Sequence, residues 1–149
     1  MLRVPKEEKY ASLAHRLDLF RGLSARDIET VFSKGSTLRF HMGETVFEKG
    51  APGNLLYVIL QGRAGVYDGD RLLAYLETGE IFGEMALVTR EPRSATVVAT
   101  TPAILFAITD FAFQNLLTKR VAVQLLLNML RSLSRRIRGL NERVAGLDD

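Results

Sequence analysis

The chain of 149 residues contains no cysteine and only two histidines. Without cysteine it has no disulfide framework, no thiolate nucleophile and no zinc–thiolate site. The two histidines, His15 and His41, are far apart in the sequence, and we predict that neither takes part in a metal site. Chemistry that depends on thiols or on a bound metal is therefore not expected.

Long apolar runs are also missing from the sequence. None approaches the roughly 18 apolar residues of a membrane-spanning helix, and residues 1–10 lack the apolar core of a secretory signal. We therefore expect a cytoplasmic protein without a membrane segment. The length and the 47% apolar content are those of one globular domain that buries a core.

The net charge of +3 is unevenly distributed along the chain. Residues 119–149 carry seven basic and three acidic side chains, whereas residues 1–118 have a net charge of −1. A basic segment can bind nucleic acid or anionic lipid. These basic residues are spread along a helix without aromatic or glycine-rich interleaving. We therefore interpret them as a solvated helix face and expect no nucleic-acid contact by this chain.

Short strand-forming segments alternate with turn signals through the middle of the chain. A turn signal follows about every 8 to 12 residues, which favours a β-sandwich or a β-barrel. The sequence Asp68-Gly69-Asp70 is typical of a hairpin turn. The predicted strands lie at residues 38–40, 45–47, 55–60, 64–67, 72–76, 81–82, 96–99 and 103–108.

Helices are predicted on both sides of this β region. Helical spacing of apolar residues indicates a first helix over about residues 7–19. A second helix over residues 25–32 takes Ser24 as its N-cap. A short third helix over residues 111–117 is capped at residues 109–110.

The stretch FGEMALVTREPRSATV, residues 82–97, has the composition of a ligand-binding loop. A helical turn after its glycine exposes unpaired backbone N–H groups around residues 85–87, which favour an anion. Arg93 adds a fork of donors for a phosphate, and Ser94 adds a hydroxyl. Glu84 repels phosphate but accepts a hydrogen bond from a neutral hydroxyl such as a ribose 2′-OH. Together they predict a ribose-phosphate pocket, and the alternative is a surface Glu–Arg pair beside an ordinary turn.

The same stretch resembles the phosphate-binding cassette of the cyclic-nucleotide-binding domain family, through F-G-E-x-A-L and then P-R-S-A-T-V. The resemblance implies a mainly β fold with flanking helices, a β-roll of jelly-roll type that is followed by a long C-terminal helix. It also implies that Glu84 takes the ribose 2′-OH, while Arg93 and Ser94 take the cyclic phosphate. The ligand-binding residues that it implies in this stretch are Gly83, Glu84, Met85, Ala86, Leu87, Arg93, Ser94 and Ala95.

A heptad repeat runs through the C-terminal helix from Leu126 onward. Positions a are Leu130, Ile137 and Val144, and positions d are Leu126, Leu133, Leu140 and Leu147. β-Branched residues at two of three a positions with leucine at every d favour a parallel two-stranded coiled coil. We predict a first unit, residues 1–118, and a second, residues 119–149, that forms a homodimer. The alternative is an amphipathic helix that lies on its own domain.

The resemblance extends to this helix, which in the family closes over the purine base. Its residues 135–137 and 142–144 align with the family's central helix and bring Leu140 and Asn141 beside the base. Asn141 flanks the heptad seam, so the resemblance implies a contact with a base held in either subunit. The alternative is an exposed helical asparagine without a partner.

Two classes of function remain. The first is a non-catalytic receptor for cAMP or cGMP that transmits a helix rearrangement, either alone or as the ligand-binding fragment of a transcription activator or cyclic-nucleotide-gated channel. The second is an enzyme acting on a nucleotide phosphodiester, with Glu84 as base and Arg93 stabilising the transition state. Such hydrolysis usually needs a metal-activated water, for which the sequence offers no ligand set. We therefore favour the receptor and expect no enzymatic activity.

Overall fold

The structure, a computed structural model, describes residues 1–4, 13–14, 16–85, 89–116 and 119–147. The strands are β1 (Leu2–Val4), β2 (Ser36–Phe40), β3 (Thr45–Phe47), β4 (Leu55–Gln61), β5 (Ala64–Asp68), β6 (Arg71–Leu76), β7 (Ile81–Phe82), β8 (Thr96–Ala99) and β9 (Ala103–Thr109). The helices are α1 (Ala25–Ser33), α2 (Asp110–Gln114) and α3 (Lys119–Leu147), and a 3-10 turn spans Asp18–Phe20.

The strands form two antiparallel sheets that face each other. One sheet has the order β1-β2-β9-β4-β7 and the other the order β3-β8-β5-β6. Apolar residues of both sheets, such as Phe40 and Ile59 from the first and Val97 from the second, pack into one buried cluster between them. The mainly β fold with a long C-terminal helix is therefore confirmed.

The central strand β4 is buried on both of its faces. Tyr57 and Ile59 point into the space between the sheets, whereas Leu56, Val58 and Leu60 belong to a second cluster with the helices. A strand covered on both faces appears in the sequence as a continuous apolar run. This double burial explains why the predicted strand at residues 55–60 shows no polar alternation.

The predicted helix starts at Ser24 and Thr109 are confirmed. The Ser24 hydroxyl accepts a 3.1 Å hydrogen bond from the Asp27 N–H, and the Asp27 carboxylate accepts one of 3.3 Å from the Ser24 N–H. The two bonds form a capping box that satisfies two otherwise unpaired donors. Thr109 caps α2 through the Ala112 N–H at 3.0 Å. Helix α2 ends at Gln114, earlier than the predicted 117.

The N-terminal region differs from the prediction. Strand β1 was not predicted; it pairs with β2 through Leu2 and Arg39. Because the partner strand lies far away in the sequence, this pairing leaves no local pattern. Of the predicted helix over 7–19, residues 7–12 and 15 lie outside the described residues, and Leu13 and Ala14 are helical. The predicted C-terminal end is instead a 3-10 turn, Asp18–Phe20.

Helix α3 is attached to the roll by its first half. Val121, Leu125 and Met129 are buried in the apolar cluster that strand β4 forms with the helices. The amide of Asn128, also buried, donates hydrogen bonds to the carbonyls of Leu19 at 2.6 Å and of Arg21 at 3.1 Å. These contacts fix the start of α3 against the N-terminal helical turn.

The opposite face of α3 is apolar and exposed. Its exposed members at a and d positions are Val123, Leu126, Leu130, Ile137, Leu140 and Val144. Val123 extends the heptad pattern by one position toward the N-terminus of the helix. No helix among the described residues is long and apolar enough to cross a membrane.

Candidate functional site

A cavity of about 250 Å³ lies along the segment that joins β7 to β8. Six of the residues predicted from the motif line it together: Gly83, Glu84, Met85, Arg93, Ser94 and Ala95. The other two, Ala86 and Leu87, lie outside the described residues. The cavity is also lined by Phe47, Gly53, Thr89 and Arg136, which the sequence did not single out.

Gly83 has a backbone that only glycine adopts easily, with a φ of +78°. A Cβ at this position would lie 2.8 Å from the carbonyl oxygen of Leu55 and 2.8 Å from Nη1 of Arg93. A side chain is therefore excluded by both strain and space. The glycine brings the backbone of the loop close to the arginine that shares its cavity.

Arg93 is a buried cation with an unused donor. Its residue is 9% exposed, and its Nη2 donates to the Leu55 carbonyl at 2.9 Å, while Nη1 makes a long 3.4 Å contact with the Gly83 carbonyl. Among the described residues, none is a hydrogen-bond partner of the buried Nε. Burial lowers the pKa of Arg93, but an arginine remains charged at neutral pH. A buried charge with an unpaired donor is costly, so the arrangement fits an anion at this position.

Glu84 accepts a hydrogen bond from Arg136 of α3. The distance from Nη1 to Oε1 is 3.1 Å, and the two side chains are 28% and 15% exposed for Arg136 and Glu84 respectively. Arg136 also donates to the Ile81 carbonyl, while its own buried Nε is unpaired. A carboxylate offers about four acceptor positions, so Glu84 retains capacity for a hydroxyl donor beside Arg136.

Thr89 contacts Met85 and lines the cavity. The Thr89 N–H donates to the Met85 carbonyl at 2.9 Å, which is the spacing of an α-helical hydrogen bond. Thr89 also lines the cavity and adds a hydroxyl to it. Ser94, next to Arg93, is exposed to solvent. The cavity thus combines cationic donors, hydroxyls and two carboxylates, Glu84 and the exposed Glu91, a set that suits a phosphorylated sugar.

A second, larger groove of about 630 Å³ adjoins the first. It lies between α3 and the segment from β6 to β7, and the two cavities share Leu76 and Arg136 on their walls. Leu140 lines this groove rather than the first cavity. Asn141 is exposed on α3 and is not among the residues that line either cavity.

The sequence did not reveal Arg136 or Phe47 as cavity residues, because both come from distant segments. The heptad pattern put Arg136 at a g position beside the seam but gave no sign of which part of the roll it meets. Phe47 was recognised only as a strand residue. Within the described part of the chain, no cluster of three or more histidine or acidic side chains is arranged to hold a metal ion.

Comparisons with known proteins found a matching family model, similar sequences and similar structures. A family model described as "Cyclic nucleotide-binding domain" matches residues 37–120. A cAMP-dependent protein kinase regulatory subunit from Colletotrichum orbiculare is 29% identical over 114 residues, which cover 75% of this chain and 29% of that protein. The chain thus spans less than a third of the curated relatives that it matches.

Solved structures resemble the chain over most of its length. The catabolite activator protein of Thermus thermophilus superposes with a TM-score of 0.71 at 29% identity, covering 88% of this chain and 63% of that one. A cyclic nucleotide-binding domain from Methylobacillus flagellatus superposes with a TM-score of 0.82 at 23% identity, covering 97% and 88%. At that identity the second similarity speaks for the fold alone.

Proposed function

Because the chain belongs to the cyclic nucleotide-binding domain family, we propose that it is a non-catalytic receptor that binds its nucleotide along the segment from Gly83 to Ala95. The observation that carries this assignment is Arg93, a cation that is 9% exposed and has an unpaired Nε in a cavity. A cyclic phosphate supplies the negative charge and the acceptor oxygens that such a donor lacks. Ser94 and Thr89 supply neutral donors at the same wall.

The ribose is assigned to Glu84. Phosphate repels a carboxylate, whereas a 2′-hydroxyl donates to one, so Glu84 orients the sugar with its hydroxyl away from Arg93. Arg136 holds this carboxylate in place through its 3.1 Å hydrogen bond. We therefore add Arg136 to the binding residues implied by the motif. Gly83, Met85 and Ala95 line the same cavity, and the motif implies that the backbone N–H groups of Ala86 and Leu87 also bind the phosphate.

The base is assigned to the adjoining groove. The groove shares Leu76 and Arg136 with the ribose-phosphate cavity, so a base attached to that ribose has a direct path into it. Leu140 lies on the groove wall and offers an apolar surface to a purine. Asn141 is next to it on the helix and reaches the base most readily from a partner subunit.

We infer that the partner subunit joins along the exposed face of α3. Leu130 and Ile137 are 61% and 59% exposed, although both occupy a positions of a regular heptad. Water-exposed large apolar residues in a continuous stripe are typical of an interaction surface. Residues 119–149 then act as a dimerisation unit distinct from residues 1–118.

The preferred ligand is cAMP, with cGMP as the second candidate. The resemblance implies this order, because Ser94 stands where cGMP-selective members often carry threonine. Isothermal titration with cAMP, cGMP and linear 5′-AMP tests the proposal. We expect both cyclic nucleotides to bind and 5′-AMP to bind much more weakly, because its phosphate carries a second negative charge and is not held by the ring. Equal binding of all three would contradict a cyclic-nucleotide receptor.

A second assay addresses catalysis. After overnight incubation with the protein and divalent metal ions, the cyclic nucleotide is expected to be recovered unchanged by chromatography. Formation of 5′-AMP above a protein-free control would instead support the phosphodiester enzyme.

A further inference from the structure

Three mutually packed aromatic rings form a floor at the ribose-phosphate cavity, and two of them, Phe47 and Phe82, line the cavity itself. They come from both sheets: Phe47 from β3, Tyr57 from β4 and Phe82 from β7. The ring centroids lie 5.9 Å apart for Phe47 and Tyr57, 6.0 Å for Phe47 and Phe82, and 5.1 Å for Tyr57 and Phe82. Mutual contacts at these separations fix each ring in position.

The guanidinium of Arg93 lies over this floor. Its Cζ is 4.2 Å from the centroid of Phe47 and 6.0 Å from that of Tyr57. It is also bounded by Gly53, where a Cβ would lie 2.0 Å from Nε and 2.3 Å from Cζ. The guanidinium is therefore confined by a ring and by a backbone that has room only for glycine.

No described carboxylate forms a salt bridge with Arg93. Its charge is instead stabilised by two backbone carbonyls and by the negative face of an aromatic ring. A ring differs from a carboxylate in two ways that matter for an anion. It occupies none of the N–H donors, and it adds no negative charge that would repel a phosphate.

We propose that Phe47 is a positioning residue for phosphate recognition, whose ring holds the Arg93 guanidinium in place while leaving its donors free. Tyr57 supplies a second, more distant ring. The inference rests on the proposed function of the cavity, because it explains how the arginine assigned to the phosphate is kept buried and oriented. The bland alternative is that Phe47 is simply an apolar part of the core and of the cavity wall.

Substitution of Phe47 by leucine separates these two roles, because leucine keeps an apolar side chain but has no ring. We expect Phe47→Leu to weaken cAMP binding about three- to thirtyfold, the loss of a partly desolvated cation–π contact. Phe47→Tyr keeps the ring and is expected to bind nearly as well as the wild type. Phe82→Leu removes a ring that also lines the cavity but makes no described cation–π contact with Arg93, so we expect it to weaken cAMP binding less than Phe47→Leu does.

A double-mutant cycle shows whether Phe47 acts through Arg93. We expect Phe47→Leu to have little further effect on cAMP affinity in an Arg93→Ala background, whereas a loss equal to that in the wild-type background would overturn the proposal. A second measurement needs no nucleotide: the Nε–H resonance of Arg93, shifted by the ring current of Phe47, should move in Phe47→Leu and much less in Phe82→Leu. An unchanged resonance would also overturn it.

The cycle also keeps the two proposals apart. Unaltered cAMP binding by Arg93→Ala would reject the phosphate assignment itself, whatever Phe47 does. Loss of binding by Arg93→Ala together with wild-type binding by Phe47→Leu would reject only the role of the ring. Circular dichroism of each variant confirms that the compared proteins are folded.

Discussion

The carboxylate of Glu84 in the loop after β7 and the guanidinium of Arg136 in α3 are joined by a hydrogen bond of 3.1 Å across 52 residues of sequence. This contact connects the cavity to the helix that carries the exposed apolar stripe. In the proposed complex a ribose hydroxyl and Arg136 use the same carboxylate, which would couple the position of α3 to the occupancy of the cavity. Such a coupling acts in both directions.

We expect the contact between Glu84 and Arg136 to stabilise the folded chain. Removal of the Arg136 side chain leaves Glu84 largely buried and without its cationic partner, so we expect Arg136→Ala to lower the free energy of unfolding by on the order of 1 kcal/mol. Arg138→Ala, exposed on the same helix, should change it by less than about 0.5 kcal/mol. Urea denaturation of the two variants measures their free energies of unfolding. Equal values would show that the contact between Arg136 and Glu84 does not stabilise the chain.

Arg93 should carry most of the phosphate recognition. We expect Arg93→Ala to cost on the order of 2–4 kcal/mol of cAMP binding free energy, as for a desolvated charge pair that loses one partner. Arg93→Lys should recover only part of it, because lysine is a point charge without the fork. The control is Arg90→Ala, three residues earlier in the same loop. Calorimetry that finds Arg93→Ala within about threefold of the wild type would rule out the assignment.

Glycine substitutions distinguish the cavity from the helix. A Cβ at Gly53 would overlap the Arg93 guanidinium, whereas a Cβ at Gly139 meets nothing within 4 Å. We therefore expect Gly53→Ala to weaken cAMP binding by about tenfold or more, since a displaced cation loses its geometry toward the phosphate. Gly139→Ala should instead raise the free energy of unfolding by about 0.5–1 kcal/mol through helix propensity. A Gly53→Ala protein that binds normally would show that Arg93 has another productive position.

Distance along the sequence determines which parts of the candidate site could be predicted. Gly83, Glu84 and Arg93 lie within eleven residues of one another, so a local motif was enough to predict that they share a cavity. The residues that contact them lie far away in the sequence, since Phe47 is on β3 and Arg136 is on α3. Their contacts form only when the sheets and the helix pack together. Strand β1 was not predicted for the same reason, because its hydrogen bonds are made with β2, which follows much later in the sequence.

The sequence predicts helix α3 itself but not the contacts that hold it against the rest of the chain. The heptad pattern is periodic and therefore visible in the sequence, and the structure extends it to Val123. The polar contact that fixes the helix, between the Asn128 amide and the carbonyls of Leu19 and Arg21, has no sequence pattern. Such an asparagine looks like any other polar position on a helix until its acceptors are known.

Base preference provides a separate test. We expect cAMP to bind at least as tightly as cGMP, with a modest difference because the Ser94 hydroxyl can still bond to the guanine amino group. Ser94→Thr should shift the balance toward cGMP without weakening the phosphate contact of Arg93. Competition between the two nucleotides for a fluorescent analogue measures this ratio in both proteins. A wild type that prefers cGMP by about tenfold, or 1.4 kcal/mol, would reverse the order.

We expect the exposed apolar stripe of α3 to form the dimer seam. Leu130→Lys with Ile137→Lys puts like charges into the a layers of a parallel coiled coil, which should yield monomers. These two residues suit the test because both are exposed in the single chain, so the substitutions need not disturb the roll. Glu142→Lys with Ala145→Lys adds the same lysines at positions f and b, away from the seam, and should leave the dimer intact.

Nucleotide binding by the monomer then shows whether the seam and the base site depend on each other. The monomer keeps Arg93 and Glu84, so phosphate and ribose recognition should persist. It loses any contact that Asn141 of the second copy makes with the base, and we expect cAMP to bind more weakly by about 1–2 kcal/mol, the usual size of such a coupling, with less discrimination between purines. Light scattering and titration on the same samples provide both readouts. A double variant that remains dimeric rejects the seam, whereas a monomer with unchanged affinity shows that the base is held entirely within one chain.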